Sequence, residues 1–463
     1  MKLDKNISRR DFMKLLGWAG ITATVPMTMA PSAVTDYVGT GGKLFVMLHA
    51  GGGWDPSSLT DPKGNGNGIN RFTNGDIISA VAGFNFAPNL VNAGSNTYDG
   101  SGTSLNRLFL NRFASRLLVI NGVDMETNNH GVGPRYAWSG KIQEGHPTFN
   151  ALLSAACAPN LPLSFITNGG YQNTAGLIAS TRVTNTNQIE EISQPNLLNS
   201  QNIFTGNTFN RIKSVRDARH TAKETDQRLP VIKNAMMSLT SARIGEADLN
   251  NFVTFFNSMT PFTGANVTNT YSSPESNRVV RIVNQFRVAW AAYQANICSS
   301  VNLNVGGFDT HSNHDAQHFP RLAAIVDALM HIDDIITATA GFTQSQAFFA
   351  VSSDFGRTPR YNGGNGKDHW PINSFMFIHD GGANLRTGTI GATDSDQRAR
   401  KVLANTPTTV DDASGITIKP THIQRAMRKY AGLITSGGEH ALATQFGVGA
   451  EEGNMDTLIS TAT

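Results

Sequence analysis

The chain has 463 residues, 37 Lys and Arg against 34 Asp and Glu, and a formal net charge of +3. Residues 1–33 hold Lys2, Lys5, Arg9, Arg10 and Lys14 against Asp4 and Asp11, which accounts for the whole excess and leaves the remainder near neutral. That balance argues against a nucleic acid or an anionic membrane as partner, and two cysteines are too few for a disulfide framework or a thiolate zinc site.

The first element is Ser8-Arg9-Arg10-Asp11-Phe12-Met13-Lys14, followed by the uncharged, apolar stretch Leu15 to Ala30. Paired arginines, Phe and Lys ahead of an apolar run too short to span a bilayer comfortably form a twin-arginine export signal over residues 1–33. Pro31 obstructs cleavage directly after Ala30, which moves the expected cut to Ser32 or Ala33. The expected location is therefore periplasmic or secreted, with no stable membrane span once the signal is gone. This export route carries folded cargo, which often acquires a metal or cofactor before it leaves the cytoplasm.

Short apolar runs at 43–48, 117–120, 163–166, 301–305, 347–351 and 375–378 read as buried strands. Between them, apolar residues recur at helical spacing from Pro147 to Leu153, through Val280, Val283, Phe286, Trp290, Tyr293 and Ile297, and through Leu322, Ile325, Leu329 and Ile332. Alternating strands and helices imply an α/β fold with a mainly parallel sheet and helices on both faces. Residues 34–463 form that domain, with loop-rich insertions near 61–102 and 168–245. Cys157 and Cys298 both lie in apolar runs that suggest burial; a single disulfide between them is left open.

Acids and histidines collect where strands end, the usual ligand position in such sheets. His49-Ala50-Gly51-Gly52-Gly53-Trp54-Asp55 follows the first strand, and its glycines allow the tight turn that presents Asp55. Its spacing is neither that of a Walker loop nor that of a dinucleotide loop. Asp309 and His311, two apart in extended chain, point the same way and can grip one ion. His314 and His318 share a helix face and read as solvent-facing polar residues. Asp354 and Arg357 follow the next strand, with the Arg357 guanidinium suited to holding a tetrahedral oxyanion. Lys367-Asp368-His369 lies in a loop before the last strand. Mixed Asp and His ligands without thiolates suit a divalent metal, Zn, Mn or a similar ion.

Gly53-Trp54-Asp55 with Asp61-Pro62-Lys63, Gly307-Phe308-Asp309-Thr310-His311, Ser353-Asp354-Phe355-Gly356-Arg357-Thr358 and Asp368-His369 together resemble the family called domain of unknown function 1501, in the alkaline phosphatase and sulfatase superfamily. The resemblance runs from the signal to about residue 390. It implies an alkaline phosphatase-like sandwich whose metal ligands are Asp55, Asp309, His311, Asp354, Asp368 and His369, the ion being Zn, Mn or Ca. Its nucleophile position falls in Met125 to Gly131, which makes Thr127 the nearest hydroxyl and His130 its neighbouring histidine. Two departures stand out: Asn129-His130 where the family commonly shows Ser-His, and Asp354-Phe355 where active members often have Asp-His.

Two functions follow from the resemblance. One is an exported metal-dependent hydrolase acting on a small-molecule or glycan phosphate or sulfate ester. The other is a non-catalytic periplasmic or surface protein on the same fold that binds a glycan or protein partner.

Overall fold

The computed structural model describes residue 37 and residues 41–81, 83–88, 104–183, 196–198, 201–229, 232–233, 236, 246–267, 273–382, 384–448 and 455–461. The stretch read as an export signal, residues 1–33, lies outside the described residues. The chain enters its sheet with β1 (Leu44–Gly51), passes through α1 (Leu105–Phe113) into β2 (Leu117–Asp124), and then makes α2 (Gly133–Ser139) and α3 (Phe149–Cys157). The short strands β3 (Phe165–Thr167) and β4 (Ser180–Thr181) precede three helices, α4 (Gly206–Asp226), α5 (Glu246–Ser258) and α6 (Ser273–Gln294). Next come β5 (Ser300–Gly306), α7 (His314–Ala338), β6 (Ala347–Ser353), β7 (Ile372–Ile378), β8 (Gly388–Ile390) and α8 (Pro420–Tyr430). Each of the six apolar runs overlaps one of these strands, the run at 163–166 only through Phe165 and Ile166.

The eight strands are ordered β8-β2-β7-β6-β1-β5-β3-β4. All neighbours are parallel except β7, which runs antiparallel to both β6 and β2. The sheet is continuous in pattern because both of its faces are covered. Alternation divides β1 between them: Leu44, Val46, Leu48 and Ala50 join the core built with α1, α6 and α7, while Phe45 and Met47 join the core built with α2, α3 and α8.

Register places the site. Gly51 of β1 lies level with Gly306 of β5, and Ala50 lies level with Ser353 of β6. Three neighbouring parallel strands therefore end together, and the turns that leave them, 52–55, 307–311 and 354–357, emerge side by side. Gly52 and Gly53 make the first turn possible: both hold positive φ, at 118° and 81°. A Cβ on Gly52 would collide with the backbone of Phe308 and Asp309, and one on Gly53 with the Phe355 ring.

Two expectations need correction. His314 and His318 do not face solvent; both are buried, because α7 starts at His314 and turns this face toward the end of β1. Cys157 is exposed at the last residue of α3, while Cys298 is buried, and both thiols are free, so no disulfide joins them. Within 168–245, α4 has no buried residue, whereas Val183 joins the first core and Leu177 the second. Among the described residues no helix is long and apolar enough to cross a membrane.

Candidate metal centre

Four side chains meet above the carboxyl ends of β1, β5 and β6. Asp309 and His311 come from the turn after β5, His369 from a short ribbon in which Gly356–Arg357 pairs with His369–Trp370, and His130 from the loop between β2 and α2. The Nε2 atom of His311 lies 2.9 Å from Asp309 Oδ1, and that of His369 lies 3.1 Å from the same oxygen. The two Nε2 atoms are 3.1 Å apart. His130 approaches from the other side, its Nε2 3.5 Å from Asp309 Oδ2. Ligand atoms of His130, Asp309 and His369 all lie within 4.8 Å of one another. The cluster is open to solvent, with side-chain exposures of 40% for His130, 44% for Asp309 and 47% for His311.

Each imidazole is held by its other nitrogen. His130 Nδ1 lies 2.6 Å from Asp354 Oδ2, His311 Nδ1 2.8 Å from Asp368 Oδ1, and His369 Nδ1 2.8 Å from the Asn128 carbonyl. Oxygen acceptors at all three Nδ1 atoms make those the protonated nitrogens, and each Nε2 presents a lone pair to the Asp309 carboxylate. Lone pairs of His311, His369 and Asp309 then face one another at 2.9 to 3.1 Å, an arrangement that a cation between them satisfies. This pattern of donors fits a divalent ion of the zinc or manganese kind.

Asp354 serves the cluster from below. Its carboxylate takes Nδ1 of His130, lies 2.9 Å from Nε2 of His49, and accepts the Gly52 N–H at 3.2 Å. Burial alone would raise its pKa, but the hydrogen bonds from His130 and His49 and the nearby imidazole charge hold it well below the usual carboxylate range. The same contact, set against burial, raises the pKa of His130. His49 in turn accepts Trp138 Nε1 at 3.0 Å on its Nδ1, so a buried chain runs from Trp138 through His49 and Asp354 to His130. Burial works upward on Asp309 as well; the hydrogen bond from Arg357 and the imidazoles of His369 and His311 beside it bring its pKa down. Asp368 is lowered chiefly by its hydrogen bond with His311.

Of the residues read as metal ligands, the structure brings Asp309, His311 and His369 to the centre. Asp354 and Asp368 stand behind histidines, as the groups that fix their orientation. Asp55 is elsewhere. Fully buried, it accepts Ser57 N–H at 2.9 Å and the Ser57 and Ser58 hydroxyls at 2.7 and 3.0 Å. Lys367 Nζ sits 2.6 Å and His314 Nε2 3.2 Å from its Oδ2. Its oxygens are thus committed to the interior.

The residues read as catalytic separate in the same way. His130 is at the centre, as a donor of Nε2. Thr127 Oγ1 accepts the Asn129 N–H at 3.2 Å and has no contact with the cluster. Arg357 is fully buried and does not offer its fork to a ligand. Its Nε donates to the Gly53 carbonyl at 2.7 Å and Nη1 to the Lys367 carbonyl at 3.0 Å. Its Nη2 donates to the Gly52 carbonyl and, at 2.7 Å, to Asp309 Oδ1. Phe355 packs its ring 4.8 Å from His130 and 4.5 Å from His369, an apolar wall beside both imidazoles. Sequence reasoning marked the segment that begins at His49 but gave that histidine no role, and it did not find Trp138 or the Asn128 carbonyl.

An α/β sheet with an imidazole and carboxylate cluster at its carboxyl end is the class of protein these observations define. Residues 288–418 match the family model described as protein of unknown function (DUF1501). That match takes in Asp309, His311, Asp354, Arg357 and His369, and leaves His130 and the 53–63 words outside it. The chain is similar in structure to the lipoteichoic acid synthase LtaP from Listeria monocytogenes, at 8% identity over 97% of this chain and 82% of that one, TM-score 0.38. It is similar to Ps i-CgsB at 9% identity over 89% and 75%, TM-score 0.40. It is also similar to the TAB5 alkaline phosphatase at 11% identity over 72% and 90%, TM-score 0.29. No curated protein sequence matches the chain.

Proposed function

We propose that this chain is an exported, metal-dependent hydrolase of phosphate or sulfate esters. The observation that carries the reading is the convergence of three Nε2 atoms on Asp309 with every Nδ1 already committed. His130, His311, His369 and Asp309 would hold the ion. Three nitrogens and one carboxylate favour Zn or Mn over Ca, which takes six to eight oxygens. A divalent ion bound there supplies positive charge that polarises a phosphoryl or sulfuryl oxygen.

The remaining groups orient and shield. Asp354 and Asp368 keep the proton on Nδ1 of His130 and His311, so that neither ring turns its Nε2 away. Arg357 fixes Asp309 from the interior and ties it to the Gly52–Gly53 turn. Phe355 keeps water from the buried side of His130 and His369. Among the described residues no hydroxyl side chain hydrogen-bonds to the cluster, and Asn129 is occupied in holding the Gly131 and Val132 N–H groups; water is therefore the nucleophile in this reading. Export rests on Ser8 to Lys14 and the apolar run behind it.

A non-catalytic protein that binds a glycan or protein partner on the same centre is the second reading, favoured by the engagement of Thr127 Oγ1 with the Asn129 N–H and by Phe355. The two separate on turnover. Purified protein loaded with Zn or Mn is offered aryl phosphate and aryl sulfate esters; hydrolysis abolished by chelator and by His369→Ala supports the enzyme. Stoichiometric metal with no turnover of either ester class supports the binding protein.

A further inference from the structure

We propose that Lys367 is a positioning residue that sets the geometry of the metal centre through an interior ion pair with Asp55, a reading that rests on the centre proposed above. Lys367 stands immediately before Asp368, which orients His311, and two residues before His369. Its side chain runs inward, away from the cluster, and is fully buried. Nζ donates to Asp55 Oδ2 at 2.6 Å, to Asn70 Oδ1 at 3.2 Å and to Ser57 Oγ at 3.3 Å, which uses all three ammonium protons.

The backbone of the same residue is tied on both sides. Its N–H donates to the Thr310 carbonyl at 3.1 Å, between Asp309 and His311. Its carbonyl accepts Arg357 Nη1 at 3.0 Å, the guanidinium that also holds Asp309. Gly366 lies against the His311 backbone so closely that any Cβ there would overlap the carbonyl. One residue thus joins the turn after β1, the turn after β5 and the ribbon that carries His369.

The far end of the tether is equally built. Asp55 is held by Ser57 and Ser58 and faces His314, whose Nδ1 is 2.7 Å from Thr310 Oγ1; that hydroxyl is 3.1 Å from His318 Nδ1, and His318 Nε2 accepts the Asp55 N–H at 2.8 Å. The ring closes on itself behind Asp309. A buried ammonium with a full set of acceptors is a rigid anchor, and cutting it frees the 366–369 segment to move its imidazole and its orienting carboxylate together.

The test uses the full-length protein with Co²⁺ as probe, reading affinity and the visible absorption of the bound ion in wild type, Lys367→Met and Asp55→Asn/Lys367→Met. Both charges are absent from the double variant, so the stability lost when one buried partner is left alone is largely recovered there. Weakening of Co²⁺ affinity by about 10- to 100-fold, the range for outer-shell partners, with an altered spectrum in both variants, supports the proposal. Wild-type affinity in Lys367→Met, or affinity that returns with stability in the double variant, overturns it and reduces Lys367 to a fold-stabilising group. Failure of the wild type itself to bind Co²⁺ removes the centre, and the proposal with it.

Discussion

Asp354→Asn is the sharpest single perturbation of the centre. The side chain is 4% exposed, so solvent does not screen what it does. Its two oxygens serve His130 and His49 at 2.6 and 2.9 Å, and Asn keeps an acceptor for one of them while turning an NH₂ toward the other. One hydrogen bond to a charged group, worth about 1.5–3 kcal/mol, is therefore lost from stability. His130 also loses the group that fixes its tautomer, which costs about 10- to 100-fold in metal affinity, or about 1.4–2.8 kcal/mol. Calorimetric titration of the apoprotein with Zn near neutral pH reads the second quantity, and thermal unfolding of the same sample reads the first. A variant that melts lower yet binds Zn with wild-type affinity would refute the role given to Asp354 and leave it a packing residue.

In apoprotein, the His130 ring should titrate above the ordinary value of about 6.5, with Asp354→Asn moving it down; NMR of the imidazole protons checks both. Because its folded pKa is raised, the stability His130 contributes is full below the unfolded value and disappears as pH rises through the folded one. Protons compete with metal for its Nε2, so metal affinity should fall on acidification from a pH above the usual histidine range. Gly53→Ala places a methyl against the Phe355 ring and Arg357 at φ 81°, and should lower stability by more than about 1 kcal/mol in denaturant titration. Thr127→Ala should leave ester hydrolysis within about threefold of wild type, since a nucleophile would be expected to cost orders of magnitude; inactivity in a folded variant would restore Thr127 to the chemistry.

The strands were legible because a sheet covered on both faces writes itself as uninterrupted apolar runs, and Leu44–Leu48 or Ala347–Val351 admit no other period. The direction of β7 was not legible, since a buried run reads the same both ways. Asp309, His311 and His369 could be found as acids and imidazoles beside strand ends. Asp55 could not be told from them, because what removes it from the site is Lys367, 312 residues away in sequence. His314 and His318 misled for a related reason: polar residues at helical spacing mark a solvent face only if nothing polar waits inside, and here Thr310 and Asp55 do. Arg357 carried the right charge for an oxyanion, but its donors were claimed by carbonyls that pattern does not reveal.

Metal content by mass spectrometry of protein purified without chelators, beside Asp309→Ala/His369→Ala, bears most directly on the centre. One equivalent of Zn or Mn in the wild type, absent from a double variant that still unfolds cooperatively, is the result expected. Equal metal in both proteins, or none in the folded wild type even after incubation with Zn and Mn, would contradict it.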